Sequence, residues 1–278
     1  MRVLSRGTRL VVLAAALAGC TAEVGPEGEV AEAAGAIEIM NALNMNALNM
    51  NALNMNALNM NALNMNGLDP NSLSAIRDPG PNGDLAREFV KYAVSCSLAS
   101  DQSFDFTWAD AEEVEHPESY PGVLGLEPEW ANGPLSLNGQ RKVSACLAGL
   151  TNMYGVHVTI SMRGPEAPLK IVDPAELQAY PNVEGAFWGN LWADTPHLYA
   201  CYNGDTVANS RAHQRVCAAG QLNPDSSITE CGMIDIVGPC SDVCEPVSSE
   251  TGAHPTCLVN PGTQDPTTTE HVVTTALP

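Results

Sequence analysis

Apolar residues recur at helical spacing in two segments of the chain, and each segment predicts a helix. The first, residues 84–98, opens with Asp84, a residue type that caps helix N-termini well. The second, residues 138–152, places its apolar positions on one side in the same way. Cys96 would lie on the first helix and Cys146 on the second.

Alternation of apolar and polar residues predicts two strands. Phe104, Phe106 and Trp108 alternate with polar residues, which indicates a strand with one buried face. The second strand covers residues 156–162, and we expect four polar side chains along it to face solvent: His157, Thr159, Ser161 and Arg163. His157 and Ser161 do not form a catalytic pair on this strand, because four extended residues separate them by roughly 13 Å.

Helices mixed with strands over residues 84–262 predict one α+β domain with a single disulfide-bonded core. Within it, residues 110–129 are acidic and contain three prolines, which predicts a long loop. Residues 70–83 are rich in Pro and Gly and are expected to be a linker before the domain. Residues 263–278 contain Thr and Pro and are expected to be a disordered tail.

A tandem repeat precedes the domain. The unit Met-Asn-Ala-Leu-Asn occurs five times in residues 40–64, and an altered sixth copy, Met-Asn-Gly-Leu-Asp, ends at Asp69. A five-residue period gives no single helical stripe and alternates the leucines between the two faces of a strand. Residues 40–69 therefore predict a low-complexity tether, after an acidic Ala- and Gly-rich linker at residues 20–39. The alternatives are a short β-helical coil similar to pentapeptide-repeat proteins, a transient helix or a self-associating strand.

Residues 1–19 predict a signal peptide. Three arginines precede an apolar run over residues 10–18, which is too short to span a bilayer. Leu17-Ala18-Gly19-Cys20 follows, and it resembles the lipobox of bacterial lipoproteins. The resemblance implies cleavage before Cys20, lipidation of its thiol and attachment to a membrane of the bacterial cell envelope. Thr21 implies the outer membrane or cell surface, and an ordinary secretory signal is the alternative.

The chain has nine cysteines, so assigning Cys20 to lipid leaves eight, and an even number in an exported chain predicts disulfides. We expect Cys96 to pair with Cys146 and Cys201 with Cys217. The last four cysteines would pair among themselves: Cys231, Cys240, Cys244 and Cys257. A zinc site is the alternative for these four, but only Cys240 and Cys244 have the close spacing of zinc ligands, so no metal site is expected.

Net charge limits the partners that the chain can bind. The precursor carries −20, and removing the three signal arginines leaves 12 − 3 = 9 basic residues against 32 acidic ones, or −23. Such a charge disfavours nucleic acids and anionic lipid surfaces. It is compatible with cationic ligands or divalent ions, and with a purely solubilising role.

Candidate chemistry is sparse. The chain contains no Gly-x-Ser-x-Gly elbow, zinc-protease helix, phosphate-binding glycine loop or Cys-x-x-Cys pair, so no catalytic residue or cofactor is expected. A cluster of aromatic residues could stack on sugars or grip a peptide, and its candidate ligand-binding members are Trp188, Trp192 and Tyr202. The alternative places the tryptophans in the core beside a disulfide. His197 and His213 are a further metal-binding alternative.

The segments Phe187-Trp188-Gly189-Asn190-Leu191 and Ala200-Cys201-Tyr202 resemble those of cysteine-rich bacterial surface lipoproteins, some of which carry Asn-Leu repeats. That resemblance brings no known activity with it. We therefore expect a membrane-anchored, non-enzymatic module that binds a carbohydrate, a peptide or an envelope protein. The alternatives are a secreted hydrolase with an unfamiliar site and a structural envelope protein whose repeats self-associate.

Overall fold

The computed structural model describes residues 37–41, 43–44, 67–152, 155, 157–170, 173–203, 221–222, 228–229 and 232–278. The predicted signal peptide, the lipidation site at Cys20 and repeat copies two to five lie outside the described residues. So do His213, Cys217 and Cys231. Among the residues that are described, no helix is both long enough and apolar enough to cross a membrane.

Helices and strands both build the described structure, which confirms the α+β class. The helices are α1 Pro81–Ser97, α2 Leu137–Leu150, α3 Pro174–Ala179 and α4 Cys240–Val243. Short 3-10 helices cover Ser74–Arg77, Pro128–Ala131 and Ala167–Leu169. The first seven strands are β1 Ile37–Asn41, β2 Leu43–Asn44, β3 Ser103–Ala109, β4 Glu115–Pro121, β5 Thr151–Asn152, β6 Val158–Arg163 and β7 Asn182–Asn190. The other seven are β8 His197–Tyr202, β9 Gln221–Leu222, β10 Ile228–Thr229, β11 Ile234–Pro239, β12 Cys257–Leu258, β13 Thr268–Thr269 and β14 Val273–Leu277.

A six-stranded mixed sheet lies at the centre, with strand order β1-β6-β14-β7-β8-β11. Neighbouring strands are antiparallel except β8 and β11, which are parallel. Helix α2 packs on this sheet against β7, β14 and β8, and α1 packs on α2; Phe89, Leu147 and Phe187 are completely buried in the core that they share. A smaller cluster around Trp188 and Val272 contains the cysteines Cys201, Cys240 and Cys257.

The two predicted helices form, and their N-terminal ends have clear local causes. Helix α2 is capped by Ser136, whose Oγ accepts a hydrogen bond of 3.0 Å from the backbone N–H of Gly139. Helix α1 begins three residues before the predicted Asp84, because Pro81 at the first helical position already has a helical φ. The two helices are joined by the predicted disulfide between Cys96 and Cys146.

Strand β3 has the predicted alternation of buried and exposed residues, but the long loop predicted for residues 110–129 is wrong in its first half. Residues Glu115–Pro121 form β4, which pairs with β3 along its whole length. Prolines 117 and 121 are tolerated because β3 and β4 make a two-stranded hairpin with outer edges. The hairpin packs Phe104, Phe106 and Tyr120 into the main core.

The domain begins well before the predicted boundary at residue 84. Leu73 and Ile76 are fully buried, so residues 70–83 are part of the core rather than a linker. The first repeat copy is also ordered: β1 extends into it and pairs with β6, and Leu43 is fully buried. Both corrections have the same physical reason. Isolated leucines and isoleucines in a polar sequence give no local periodic pattern, and they pack against elements that are distant in the sequence.

The predicted disordered tail at residues 263–278 is wrong. It contains β14, whose five residues are all buried between β6 and β7 in the middle of the sheet. The segment Val-Thr-Thr-Ala-Leu shows little apolar periodicity, and its burial comes from neighbours that lie far away in the sequence. The buried hydroxyl of Thr275 has a hydrogen-bond partner, since its Oγ1 donates to Glu184 at 2.7 Å.

The disulfide pattern corrects two predictions, namely the bond between Cys201 and Cys217 and the pairing of the last four cysteines only among themselves. Cys201 bonds with Cys240 and not with Cys217, and Cys244 bonds with Cys257. Parallel pairing of β8 with β11 brings Cys201 next to Cys240 at the start of α4. The two bonds touch each other, since the Sγ atoms of Cys201 and Cys244 are 3.6 Å apart. Three disulfides therefore lie in the described part of the chain.

Strand β6 does not present all its polar residues to solvent. His157 and Thr159 are exposed as predicted, but Ser161 and Arg163 are buried because loops cover the second face of the sheet. Arg163 Nε donates to Ser161 Oγ (2.8 Å), Ser161 Oγ donates to Glu176 Oε1 (2.6 Å), and Arg163 Nη2 donates to the carbonyl of Tyr180 (2.7 Å). This chain of hydrogen bonds holds α3 and its C-terminal end against the sheet.

Candidate functional site

A concave surface in the described residues lies on the β3–β4 hairpin. It is a shallow hollow of about 400 Å³, lined by Asp105, Phe106, Thr107, Pro117, Glu118 and Ser119. Alternation along the two strands turns Phe104 and Phe106 toward the core and leaves Asp105 and Thr107 exposed. The hollow therefore combines peptide backbone, small hydroxyl groups and carboxylates.

Asp105 is the charged group best fixed in the hollow. Its carboxylate accepts hydrogen bonds from Ser119 on the facing strand and from Ser103, the latter at 2.8 Å. These bonds lower the pKa of Asp105, so the side chain carries its negative charge at any physiological pH. A ligand in the hollow meets a carboxylate whose orientation is already set.

The hairpin is fastened to the domain through Trp108. The guanidinium carbon of Arg87, on α1, lies 3.7 Å from the centre of the Trp108 ring. On the facing strand, His116 stacks on Trp108 with ring centres 4.6 Å apart, and Trp108 Nε1 donates to Glu118 Oε1 at 3.2 Å. Arg87 is buried and also donates to the carbonyls of Ile76, in the 3-10 helix before α1, and of Asp78, which follows that helix, so the base of the hairpin is tied to this segment.

The turn of the hairpin is closed by Asp110. Its Oδ1 accepts from the backbone N–H groups of Glu112 and Val114, at 3.0 and 2.9 Å. Its Oδ2 lies 2.8 Å from His116 Nε2, and this hydrogen bond is the main reason why the pKa of Asp110 is lowered. The turn thus stays ordered although it is strongly acidic.

A second group of titratable side chains links four segments of the domain. Lys142 Nζ lies 2.9 Å from Glu127 and 3.5 Å from Glu166, and Glu166 in turn lies 2.9 Å from His271 Nδ1. All four side chains are about one-fifth exposed or less. Burial alone would lower the pKa of Lys142, but its hydrogen bonds and charge interactions with the two glutamates raise it above the usual value.

This cluster of Lys142, Glu127, Glu166 and His271 has the residue types of an acid–base site but not the arrangement of one. A lysine with a raised pKa stays protonated and is no nucleophile. In the described structure the His271 ring bonds to the carboxylate of Glu166 rather than to a hydroxyl or thiol. The geometry is that of an ionic clamp between α2 and the segments on either side of the sheet.

The aromatic residues predicted to bind a ligand are divided by the structure. Trp188 is 1% exposed, its Nε1 donates to the carbonyl of Leu258 at 2.8 Å, and it packs in the cluster that contains Cys201. The prediction of a ligand-binding Trp188 is therefore wrong, and the alternative core placement describes it. Trp192 and Tyr202 are half-buried against the main core, and Trp192 meets Trp130 edge to face at 6.0 Å.

Two of the histidines singled out in the sequence, His157 and His197, are described, and they do not converge on a site. His157 is exposed, and His197 contacts the carbonyl of Thr195 and the ring of Tyr199. No group of three or more metal-ligating side chains comes together in the part of the chain that the structure describes.

Sequence reasoning missed both the hairpin hollow and the ionic cluster. One sequence signal could have indicated the hollow: the 49 residues from 92 to 140 contain nine Asp and Glu and no Lys or Arg. No comparable signal exists for the cluster, because Lys142 and His271 are 271 − 142 = 129 residues apart in the sequence.

Comparison with known proteins gives no assignment, since no protein-family model, no curated protein and no solved structure matches the chain.

Proposed function

We propose that the chain is a lipid-anchored protein of the bacterial cell envelope whose ordered domain binds a cationic peptide segment of another envelope component. The signal peptide pattern and the lipobox ending at Cys20 support the location. Three disulfides in the described residues agree with an oxidising compartment outside the cytoplasm.

The observation that carries the ligand assignment is the hollow on the hairpin, with Asp105 fixed in it. Among the described residues the two hairpin strands pair only with each other, and we propose that an extended peptide adds to the edge of this two-stranded sheet. The surrounding segment has no Lys or Arg between Lys91 and Arg141, so its excess of acidic side chains favours a lysine- or arginine-bearing peptide.

Binding is favoured over hydrolysis by the state of the titratable groups. The nearest approach to an acid–base site is the ionic cluster, and there the raised pKa of Lys142 keeps its amine protonated. In the part of the chain that the structure describes, His271 bonds to a carboxylate rather than to a hydroxyl or thiol that it could activate as a nucleophile.

The test is equilibrium binding of a fluorescent oligolysine peptide to the purified full chain at low salt. The double variant Asp105→Asn, Glu118→Gln removes two charges while keeping hydrogen-bond acceptors for Ser119 and for Trp108. We expect it to bind about tenfold more weakly, which corresponds to two partly exposed ion pairs.

A matched control removes two charges elsewhere, with Glu250→Gln and Asp265→Asn in exposed loops. This variant should bind the peptide as the original chain does. Equal weakening in the two double variants would mean that the peptide follows net charge alone, and the hairpin would lose its assignment.

A further inference from the structure

The repeat array is docked on the domain at both of its ends. In the first copy, Leu43 is fully buried in the main core, and β2 pairs in parallel with β5 through Leu43 with Thr151 and Asn44 with Asn152. In the sixth copy, Leu68 is 7% exposed, and its N–H donates to the carbonyl of Trp130 at 3.1 Å. In both places the buried side chain is the leucine of the repeat unit.

The site that holds the sixth copy accepts that copy alone. Gly67 has a φ of +72°, and a Cβ added there would lie 3.0 Å from the backbone of Trp130 and Gly133. The first five copies have Ala at this position and would meet both the strained φ and the close contact. The change from Ala to Gly in the sixth copy therefore fixes one end of the array.

The site that holds the first copy has no such selectivity. Copies one to five are identical, so Met45-Asn46-Ala47-Leu48-Asn49 offers the same residues to the same pocket and the same strand edge as the first copy does. We propose that two repeat copies of one molecule share the docking site of Leu43. When the array shifts by five residues, the second repeat copy takes the place of the first.

The residues before each copy decide which register is preferred. In the observed register, Ile37, Glu38 and Ile39 pair with Met162, Ser161 and Ile160 of β6. After a shift by one copy, Ala42, Leu43 and Asn44 would occupy those positions. Two β-branched residues are replaced by Ala and Asn, which are poorer strand residues, so the first copy is the ground state. Later copies all have the same preceding residues and are equivalent to one another.

The chain between the two docked ends is long enough for the shift. Residues 45–66 connect Asn44 to Gly67, which is 66 − 44 = 22 residues, and a shift by one copy leaves 17. Seventeen extended residues span up to about 56 Å. That is longer than the diameter of about 46 Å expected for a compact domain of this size from its radius of gyration.

Each shift would move five residues from the connection behind the docking site to the segment in front of it, adding up to about 17 Å of reach on the N-terminal side. The repeat would then set an adjustable distance between the domain and whatever holds its N-terminus. This inference does not depend on the proposed ligand or on the hairpin.

The test compares two buried leucines, one in each docking site, by thermal unfolding of the full chain. Leu68→Asp has no replacement copy, and we expect its Tm to fall by about 10 °C. Leu43→Asp can be replaced by the second copy, and we expect less than half of that fall. Hydrogen exchange measured by mass spectrometry should show new amide protection at residues 45–49 in the Leu43→Asp variant.

Blocking the other copies is the matched control. The fourfold variant Leu48→Asp, Leu53→Asp, Leu58→Asp, Leu63→Asp keeps the first copy and should change Tm by about 1 °C or less. Adding Leu43→Asp to it should then lower Tm as much as Leu68→Asp does. If a fivefold Asp variant does not fold, the corresponding Leu→Ala series gives the same comparison.

Two results would overturn the proposal. One is an equal fall in Tm for Leu43→Asp with the other leucines present and with them replaced. The other is protection at residues 45–49 that disappears on dilution, because the occupant would then be a copy from a second molecule.

Discussion

Three buried polar atoms have no hydrogen-bond partner among the described residues: Trp192 Nε1, His254 Nε2 and Thr256 Oγ1. The histidine is the most consequential because it can change charge. Its Nδ1 lies 2.6 Å from the carbonyl oxygen of Glu245, so this nitrogen carries the proton and Nε2 is left as a buried acceptor. Burial lowers the pKa of His254 and outweighs the opposing effect of that hydrogen bond.

The buried His254 predicts that the domain loses stability on mild acidification. The unfolded chain takes up a proton below the ordinary histidine pKa of 6.5, whereas the native site resists it. Stability from this residue is therefore complete above about pH 6.5 and falls as the pH drops toward the lowered native pKa, by up to about 1.4 kcal/mol per pH unit. Denaturant unfolding at a series of pH values between about 7.5 and 4.5, the range in which histidines titrate, measures the slope of the unfolding free energy against pH.

His254→Asn should flatten that slope, because its amide can still donate to Glu245 but does not titrate. The smaller side chain will lower stability at every pH, so the slope and not the absolute value is the measurement. His157→Asn, at an exposed position, is the control and should leave the slope unchanged. An unchanged slope in His254→Asn would show that other groups cause the acid sensitivity.

At the scale of elements, the sequence predicted those segments whose burial pattern is local. Helix α2 and strand β3 each carry their apolar residues with one clear period, and both formed as expected. Strands β4 and β14 have no such period, since β4 is interrupted by prolines and β14 is mostly threonine and small residues. Their place is decided by pairing with β3, β6 and β7, which local periodicity does not encode.

The central position of β14 predicts that the C-terminus is essential for folding. Deleting residues 273–278 removes a strand that is bonded on both sides and leaves one edge of β6 and one edge of β7 unpaired in the middle of the sheet. We expect the truncated chain to show no cooperative unfolding transition by circular dichroism. Deleting Pro278 alone is the control, since it removes one exposed residue that accepts a hydrogen bond from Asn182. A cooperative transition in the longer truncation would contradict the strand assignment.

Over the whole molecule, the candidate sites were less predictable than the fold. The hollow on the hairpin depends on β4, a strand that the apolar pattern of the sequence did not predict. The ionic cluster joins residues from four distant segments. Aromatic content pointed instead to Trp188, which the core requires because the chain has few large side chains. Residue type alone does not separate a core tryptophan from a binding one, and only the long-range contacts of the fold do.

At the same scale, the proposed anchor at Cys20 and the ordered domain are separate parts of the chain. The six cysteines in the described residues form three disulfides among themselves, so none of these bonds requires Cys20. With β1 beginning at Ile37, the segment between Cys20 and the sheet is 36 − 20 = 16 residues, which reaches at most about 54 Å. This segment is therefore much shorter than the 63 residues from 21 to 83, which the sequence predicted to consist of two linkers and the repeat tether.

Cys20→Ser should release the protein from the membrane fraction without changing its fold, because lipid attachment is expected at this thiol alone. Peptide mapping without reduction should recover the bonds Cys96–Cys146, Cys201–Cys240 and Cys244–Cys257 in both the original chain and the variant. Cys96→Ser is the contrasting variant: it should remain in the membrane fraction but lose several kcal/mol of stability, about 2 to 5, with its disulfide. Retention of Cys20→Ser in the membrane would require another means of attachment, and altered bonds in that variant would mean that Cys20 takes part in the disulfide framework.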